Sequence, residues 1–104
     1  MKHATKELGD SGEAAASEYL ESRGFEIVAI NYRRKYGEID LVAKREGVIH
    51  FVEVKASTYY PGTAYAPEIR VDRRKRNKLK RLCEAYLLDI SAPQKQPWQI
   101  DVIS

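Results

Sequence analysis

The stretch GEIDLVAKREGVIHFVEVKA, residues 37–56, constrains the fold of this chain more than any other. Two runs within it, at about 38–44 and 48–55, mix apolar residues with alternating polar ones and are separated by Glu46-Gly47. This pattern predicts a β-hairpin with a largely buried core of valine and isoleucine. Among the valines and isoleucines of the two runs, away from the turn, the hairpin nevertheless carries Glu38, Asp40, Glu53 and Lys55. Charges are rarely buried unless they are paired or bind a metal, so these four need an explanation.

The segments around the hairpin predict the order helix, three strands, helix, strand. Helical periodicity that includes Ala15, Ala16, Tyr19 and Leu20 predicts a first helix over 7–23. The other elements are expected at 25–31 (strand), 72–89 (helix, with Asp72 as its N-cap) and 98–103 (strand), with a polar connection at 32–37 and a loop at 56–71. We therefore expect a single α/β domain, 1–104, with a mixed sheet of about four strands and the hairpin at its centre. The helices pack one on each side, or both flank the sheet.

Composition sets further bounds on the class of protein. A chain of 104 residues with 43% apolar content is long enough for one core, and its net charge of +3 permits an anionic partner. No apolar run approaches the roughly 20 residues of a membrane span, and the first residues lack a signal-peptide core. The one cysteine, Cys83, lies on the apolar face of the predicted second helix, and its thiol is expected to be packed in the core. We expect a cytoplasmic protein without membrane contact.

The register of the hairpin decides which charges meet. If Glu46-Gly47 is a two-residue turn, Arg45 pairs with Val48 and Asp40 lies opposite Glu53. A four-residue loop would place Glu38 there instead, and either loop leaves all four charges on one side of the sheet.

Like charges facing each other destabilise a strand pair, so something must neutralise them. Lys55 is one candidate and a hard divalent cation such as Mg²⁺ is another. Two acids, a metal and a lysine on rigid strands suit hydrolysis of a phosphodiester. The plainer alternative is that Glu53 and Lys55 are edge-strand charges that discourage aggregation.

A second charged feature, a basic stretch, covers the residues just before the predicted second helix and its first turns. Within residues 69–81, eight basic residues accompany one acid, Asp72. The basic residues are Arg70, Arg73, Arg74, Lys75, Arg76, Lys78, Lys80 and Arg81. Such a stretch at a helix N-terminus attracts phosphate, so the first six are candidates for contacts to nucleic acid. A solvated helix face is the alternative.

Two neighbouring segments bear on this basic stretch. The connection Arg33-Arg34-Lys35 would extend it. Tyr59, Tyr60 and Tyr65 would stack on unpaired bases or pack the loop against the core.

The order of these motifs matches a known family. GEIDLVA…FVEVK resembles the active-site hairpin of the restriction-endonuclease-like superfamily, the D…(D/E)xK nucleases. Almost the whole chain resembles the YraN family of small bacterial proteins: GDSGEAAASEYLESRGFEIVAINYR, the hairpin, the basic helix and IDVI follow in the same order. Archaeal Holliday-junction resolvases share a similar helix-plus-hairpin arrangement. The resemblance implies a restriction-endonuclease-like core.

The same resemblance assigns roles to residues. It implies that Asp40, Glu53 and the Val54 carbonyl hold Mg²⁺ or Mn²⁺, that Lys55 is the catalytic lysine, and that Glu13 is an outer acid. Glu38 belongs to the matching GEID motif, with a role that is less defined.

Three functions follow as hypotheses. The first is a divalent-metal-dependent nuclease acting on structured DNA; its resolvase variant would need a symmetric homodimer. The second is a nucleic-acid-binding module with a nuclease-like fold whose activity is lost or requires a partner. The third is an assembly protein that uses the basic helix for an acidic protein partner.

Overall fold

The computed structural model describes residues 11–55 and 73–103. The elements are two helices, α1 (Ser11–Ser22) and α2 (Arg73–Asp89), and four strands, β1 (Glu26–Arg34), β2 (Gly37–Arg45), β3 (Val48–Val54) and β4 (Trp98–Ile103). Their order is the predicted one, helix, three strands, helix, strand. The predicted N-cap, the predicted loop at 56–71 with its three tyrosines, and the start of the predicted first helix lie outside the described residues.

The four strands form one mixed sheet in the order β1-β2-β3-β4. The first three strands are antiparallel neighbours, and β4 runs parallel to β3. Parallel neighbours require a crossover connection, and α2 lies in it. The hairpin β2–β3 is central, as predicted, and the α/β architecture is consistent with a restriction-endonuclease-like core.

The turn between β2 and β3 has two residues. Arg45 pairs with Val48, and both Glu46 and Gly47 have positive φ, 52° and 79°. Positive φ at both central residues is typical of the type I′ turn, whose twist matches that of the flanking strands. The two-residue alternative is therefore confirmed and the four-residue loop is wrong.

The helices cover opposite faces of the sheet. Val42 and Phe51 are paired across β2 and β3 and pack with Leu82 of α2, whereas the next pair, Leu41 and Val52, packs with α1. Neighbouring strand residues point to opposite faces, so α1 and α2 lie on different sides. The α2 side is the larger core: Phe51 meets Tyr86 and Trp98 edge to face, with ring centroids 5.7 and 5.5 Å apart.

Two residues of the helical periodicity in α1 are exposed, and one predicted boundary needs correction. Ala15 and Tyr19 are exposed, Tyr19 by 50%, because the short helix α1 buries only a narrow stripe through Ala16 and Leu20. Strand β1 continues to Arg34, through part of the predicted polar connection, because its pairing with β2 extends to Gly37.

Two further expectations concern the thiol and the membrane. Cys83 is buried, and burial raises its pKa to about 12, so the predicted packed thiol is confirmed. Across residues 11–55 and 73–103, neither helix has the length and apolar character that crossing a membrane requires.

Candidate functional site

Asp40 lies where the ladder between β2 and β3 stops. The last main-chain pair on this side is Leu41 with Val52. Beyond it, Oδ2 of Asp40 accepts a hydrogen bond of 2.8 Å from the Val54 N–H. Strand N–H groups point along the sheet toward the neighbouring strand. The Asp40 carboxylate therefore lies between the two strands, in the plane of the sheet.

The alternation of side chains in β2 breaks at this residue. Ile39 packs in the core beside α2, whereas Leu41, two residues later, packs beside α1. Residues two apart in a regular strand share a face, so the strand is irregular at Asp40. The expectation that all four hairpin charges share one side of the sheet assumed regular alternation; Glu38, Glu53 and Lys55 do line one groove.

Val54 presents its backbone to the same place. Within β3 the N–H groups of odd-numbered residues point toward β4, since the Ile49 N–H donates a hydrogen bond to the Pro97 carbonyl just before β4. Even-numbered residues face β2, as the bond from Val54 to Asp40 shows. The N–H and C=O of one strand residue point to the same neighbour. The Val54 carbonyl therefore faces the side on which Asp40 lies.

Three carboxylates from two elements meet at this end of the sheet. Glu13 from the first turn of α1, and Glu38 and Asp40 from β2, bring ligand oxygens within 4.8 Å of one another. We call these residues the acidic cluster. Oε1 of Glu13 is buried, and Glu38 also accepts a bond of 2.8 Å from Nε of Arg33. Hard divalent cations prefer such oxygen ligands, so the acidic cluster could hold a metal ion.

Glu53 adjoins this cluster from β3. It is half-buried, and burial raises its pKa, with the negative charge of Asp40 as the second cause; Lys55 and Lys75 act in the opposite direction. A carboxyl whose negative form is disfavoured gains from a nearby cation. The predicted pair of Asp40 and Glu53 is thus brought into electrostatic contact, although their main chains do not pair.

Lys55 follows directly after β3, on the same side as Glu53. Its N–H donates a bond of 2.7 Å to the carbonyl of Ile103, which anchors the backbone at this point. The side chain is half-buried and lines a groove together with Glu53. An ammonium held two residues from a carboxylate can orient a water or a phosphate oxygen beside it.

This groove, which we call the α2 groove, has a volume of about 640 Å³ and lies between α2, the start of β2 and the ends of β3 and β4. Its basic members are Lys55, Arg74, Lys75, Arg76 and Lys78. Arg73 is exposed at the start of α2, beside a second hollow that Arg74 and Lys78 also line. Arg70 lies outside the described residues. The basic half of α2 thus borders the same space as Glu53.

The expected extension of the basic surface through Arg33, Arg34 and Lys35 stays a prediction; all three residues are exposed. Arg33 forms its ion pair with Glu38, and Arg34 pairs with Asp89 at the C-terminal end of α2. The charge of Arg34 is thereby engaged at the end of the helix opposite to the α2 groove. Lys35 is exposed.

Sequence reasoning missed the apolar part of the groove and the clustering of Glu38. Val102, which pairs with Glu53 across β3 and β4, lines the groove together with Ile100. The alternation in WQIDVI places these two side chains on one face, but their position beside Glu53 depends on the parallel pairing of distant strands. The GEID motif was a signal for Glu38, without an indication that Glu13 would come close to it.

Comparison with known proteins agrees on one family. The model of the "Uncharacterised protein family UPF0102" matches residues 12–104. A UPF0102 protein of Roseiflexus castenholzii is 39% identical over 98 residues, 93% of this chain and 77% of the relative. One from Campylobacter fetus is 40% identical over 96 residues (92% and 80%), and one from Clostridium botulinum is 34% identical over 103 residues (99% and 82%). The chain therefore belongs to the UPF0102 family, which is the YraN family expected from its sequence motifs.

Proposed function

We propose that this protein is a divalent-metal-dependent nuclease that hydrolyses phosphodiester bonds of structured DNA. One observation carries the proposal: the acidic cluster and Glu53 adjoin a groove that Lys55 and the basic half of α2 also line. Metal ligands, a positioned ammonium and a phosphate-binding surface are the three parts that phosphodiester hydrolysis needs.

The donor set suits a hard cation. Asp40, Glu53 and the Val54 carbonyl offer oxygen ligands, and Glu13 and Glu38 add negative charge beside them. Mg²⁺ or Mn²⁺ is the expected ion, because both prefer carboxylate, carbonyl and water oxygens. When bound, the ion would polarise the phosphate and acidify a water.

The remaining tasks fall to side chains of the groove. The Lys55 ammonium would orient the attacking water and balance the charge that develops on the phosphate oxygens. Arg74, Lys75, Arg76 and Lys78 would hold neighbouring phosphates, as would Arg73 and Arg70 along the strand. None of these contacts reads a base. In this proposal the chain works as a single domain in the cytoplasm, and a homodimer is needed only to cut both strands of a junction.

The test is cleavage of labelled linear, flapped, single-stranded and four-way-junction DNA with Mn²⁺, Mg²⁺ or EDTA. Glu53→Ala and Lys55→Ala are each expected to lower the cleavage rate by about 100-fold or more. Glu26→Ala and Lys44→Ala are matched controls, since both residues are exposed strand charges outside the α2 groove. Metal-dependent cleavage that only the first two variants lose would support the proposal.

A nucleic-acid-binding module without hydrolysis is the second candidate. The ion pair between Arg33 and Glu38 favours it, because a protein cation there competes with a metal for one carboxylate. It predicts DNA binding that weakens steeply with salt and is indifferent to EDTA. Absence of both cleavage and binding would favour an acidic protein partner instead.

A further inference from the structure

The α2 groove combines an apolar floor with a basic rim. Leu79, Leu82, Ile100 and Val102 contribute its apolar lining. Val102 is 54% exposed, although it belongs to a strand of the central sheet and pairs with Glu53. An apolar side chain left open beside a candidate catalytic carboxylate is a suitable surface for an apolar part of a ligand.

The rim has the opposite character. Arg74, Lys75 and Lys78 project from the first turns of α2 and line the same groove. Cations above an apolar floor match a ligand with a flat, weakly polar face and a negatively charged backbone. A nucleotide has that combination, and pockets of a few hundred Å³ accommodate ligands of this size.

We propose that the α2 groove takes the base of an unpaired nucleotide, with its phosphates on the basic rim. The proposal rests on the proposed function, and it identifies the preferred substrate as DNA with a single-stranded flap or end. In an intact duplex the base faces are stacked inside the helix, so a groove floored by Val102 and Ile100 has no base face to contact. An unpaired base exposes that face beside the phosphate chain.

Binding measured without cleavage tests the base contact. Fluorescence anisotropy in EDTA would compare a blunt duplex, the same duplex with a five-nucleotide flap, and the same flap built from abasic nucleotides. The abasic flap keeps every phosphate and removes every base. The normal flap is expected to bind at least about fivefold more tightly than the abasic flap, because only the normal flap brings an apolar base face to the groove floor.

Two variants assign that difference to the groove. Val102→Thr preserves shape and strand propensity while replacing one methyl group with a hydroxyl, and it should weaken binding of the normal flap by about threefold without affecting the abasic flap. Val28→Thr is the matched control, since Val28 is also an exposed strand valine (39%) and does not line the groove. It should change neither affinity.

The outcomes separate this inference from the function on which it rests. Equal binding of normal and abasic flaps would overturn the base contact, even if Mn²⁺-dependent cleavage is observed. Equal effects of Val102→Thr and Val28→Thr would overturn the assignment to the groove. Selective binding of the normal flap that Val102→Thr alone reduces would support the inference, and it would stand even if no DNA is cut.

Discussion

The two halves of α2 belong to one helix but have opposite surroundings. Residues 73–81 are exposed with one exception, the half-buried Leu79. Seven of these nine residues are Arg or Lys, and six of the seven line one of the two hollows beside the helix. In residues 82–89, by contrast, Leu82, Cys83 and Tyr86 are buried against the sheet. Tyr86 also contacts Tyr32 and Phe51 edge to face.

The difference indicates how the basic half is held. Like charges three or four residues apart destabilise a helix, and most helix stability in proteins comes from packing of an apolar face. The packed half must therefore stabilise the helix as a whole, and the basic half is presented beside Glu53 at a cost in stability. Such an arrangement is typical of a binding surface rather than of a core element.

The largest expected effect is on the packed half. Leu82→Ala should lower the free energy of unfolding by about 2–4 kcal/mol, because it removes a buried side chain and leaves a cavity. Urea denaturation measures this loss. Leu88→Ala in the same helix is the control, since Leu88 is 79% exposed and should cost less than about 0.5 kcal/mol. Equal losses for the two variants would contradict the packing of Leu82 as the cause.

The next largest expected effect is at Gly37, which faces Leu82 where the two halves of α2 meet. Gly37 has φ +149°, and a Cβ placed on it would lie 3.2 Å from Cδ1 of Leu82. Gly37→Ala should lower the free energy of unfolding by about 1–3 kcal/mol through backbone strain and crowding of α2. Gly47→Ala is the comparison, because its φ is +79° but no atom lies within 4 Å of the added Cβ. A larger loss at Gly47 would rule out crowding as the cause.

Substitutions in the basic half should weaken binding without lowering stability. Arg74→Ala together with Lys75→Ala should weaken DNA binding about tenfold or more at moderate salt, and should reduce the slope of log K against log salt by about 2. Anisotropy titrations at several salt concentrations give both numbers. Lys80→Ala is the control, since Lys80 is exposed on α2 but does not line the α2 groove. The prediction fails if all three substitutions reduce binding alike.

The smallest expected effect is the change in thermal stability on replacing Glu53, which lines the α2 groove opposite the basic half of the helix. Burial and the negative charge of Asp40 raise the pKa of Glu53, so the folded protein holds the proton of this carboxyl more tightly than the unfolded chain does. The stability that this protonation contributes is fully present below the ordinary pKa of a glutamate and is lost as pH rises through the raised pKa. Glu53→Gln should therefore raise Tm by about 1–3 °C at pH 7 in EDTA, and by less near pH 4. Thermal melts at the two pH values test this, with Glu26→Gln as an exposed control. A lower Tm at pH 7 would contradict the sign.

The local features of the fold were predictable from sequence, and several site contacts were not. Glu46-Gly47 between two alternating runs determines the turn and hence the register of β2 and β3, and the stripe from Leu79 to Tyr86 determines which side of α2 is packed. Both depend on residues close in sequence. The bond from Val54 to Asp40 requires β2 to depart from regular alternation, which no periodicity argument anticipates.

Contacts between distant elements were the main omission. Glu13 meets Glu38 only because α1 packs across the sheet, and Val102 meets Glu53 only because β4 pairs with β3 in parallel. Propensity and spacing describe one segment at a time. The resemblance to a nuclease family suggested Glu13, Asp40 and Glu53 together, but it gave no indication of the apolar floor beside them.

The position of Asp40 in the plane of the sheet links cation binding to folding. Its neighbours come from α1, β2 and β3, so the ligand set is complete only when the helix and both strands are assembled. A ligand that binds the native chain and not the unfolded one shifts the equilibrium toward the native chain by mass action. A cation held there would join α1 to the two strands, and the melting temperature of the protein would rise with the free concentration of the cation. In the proposed nuclease, the ion bound for hydrolysis would therefore also stabilise the native fold.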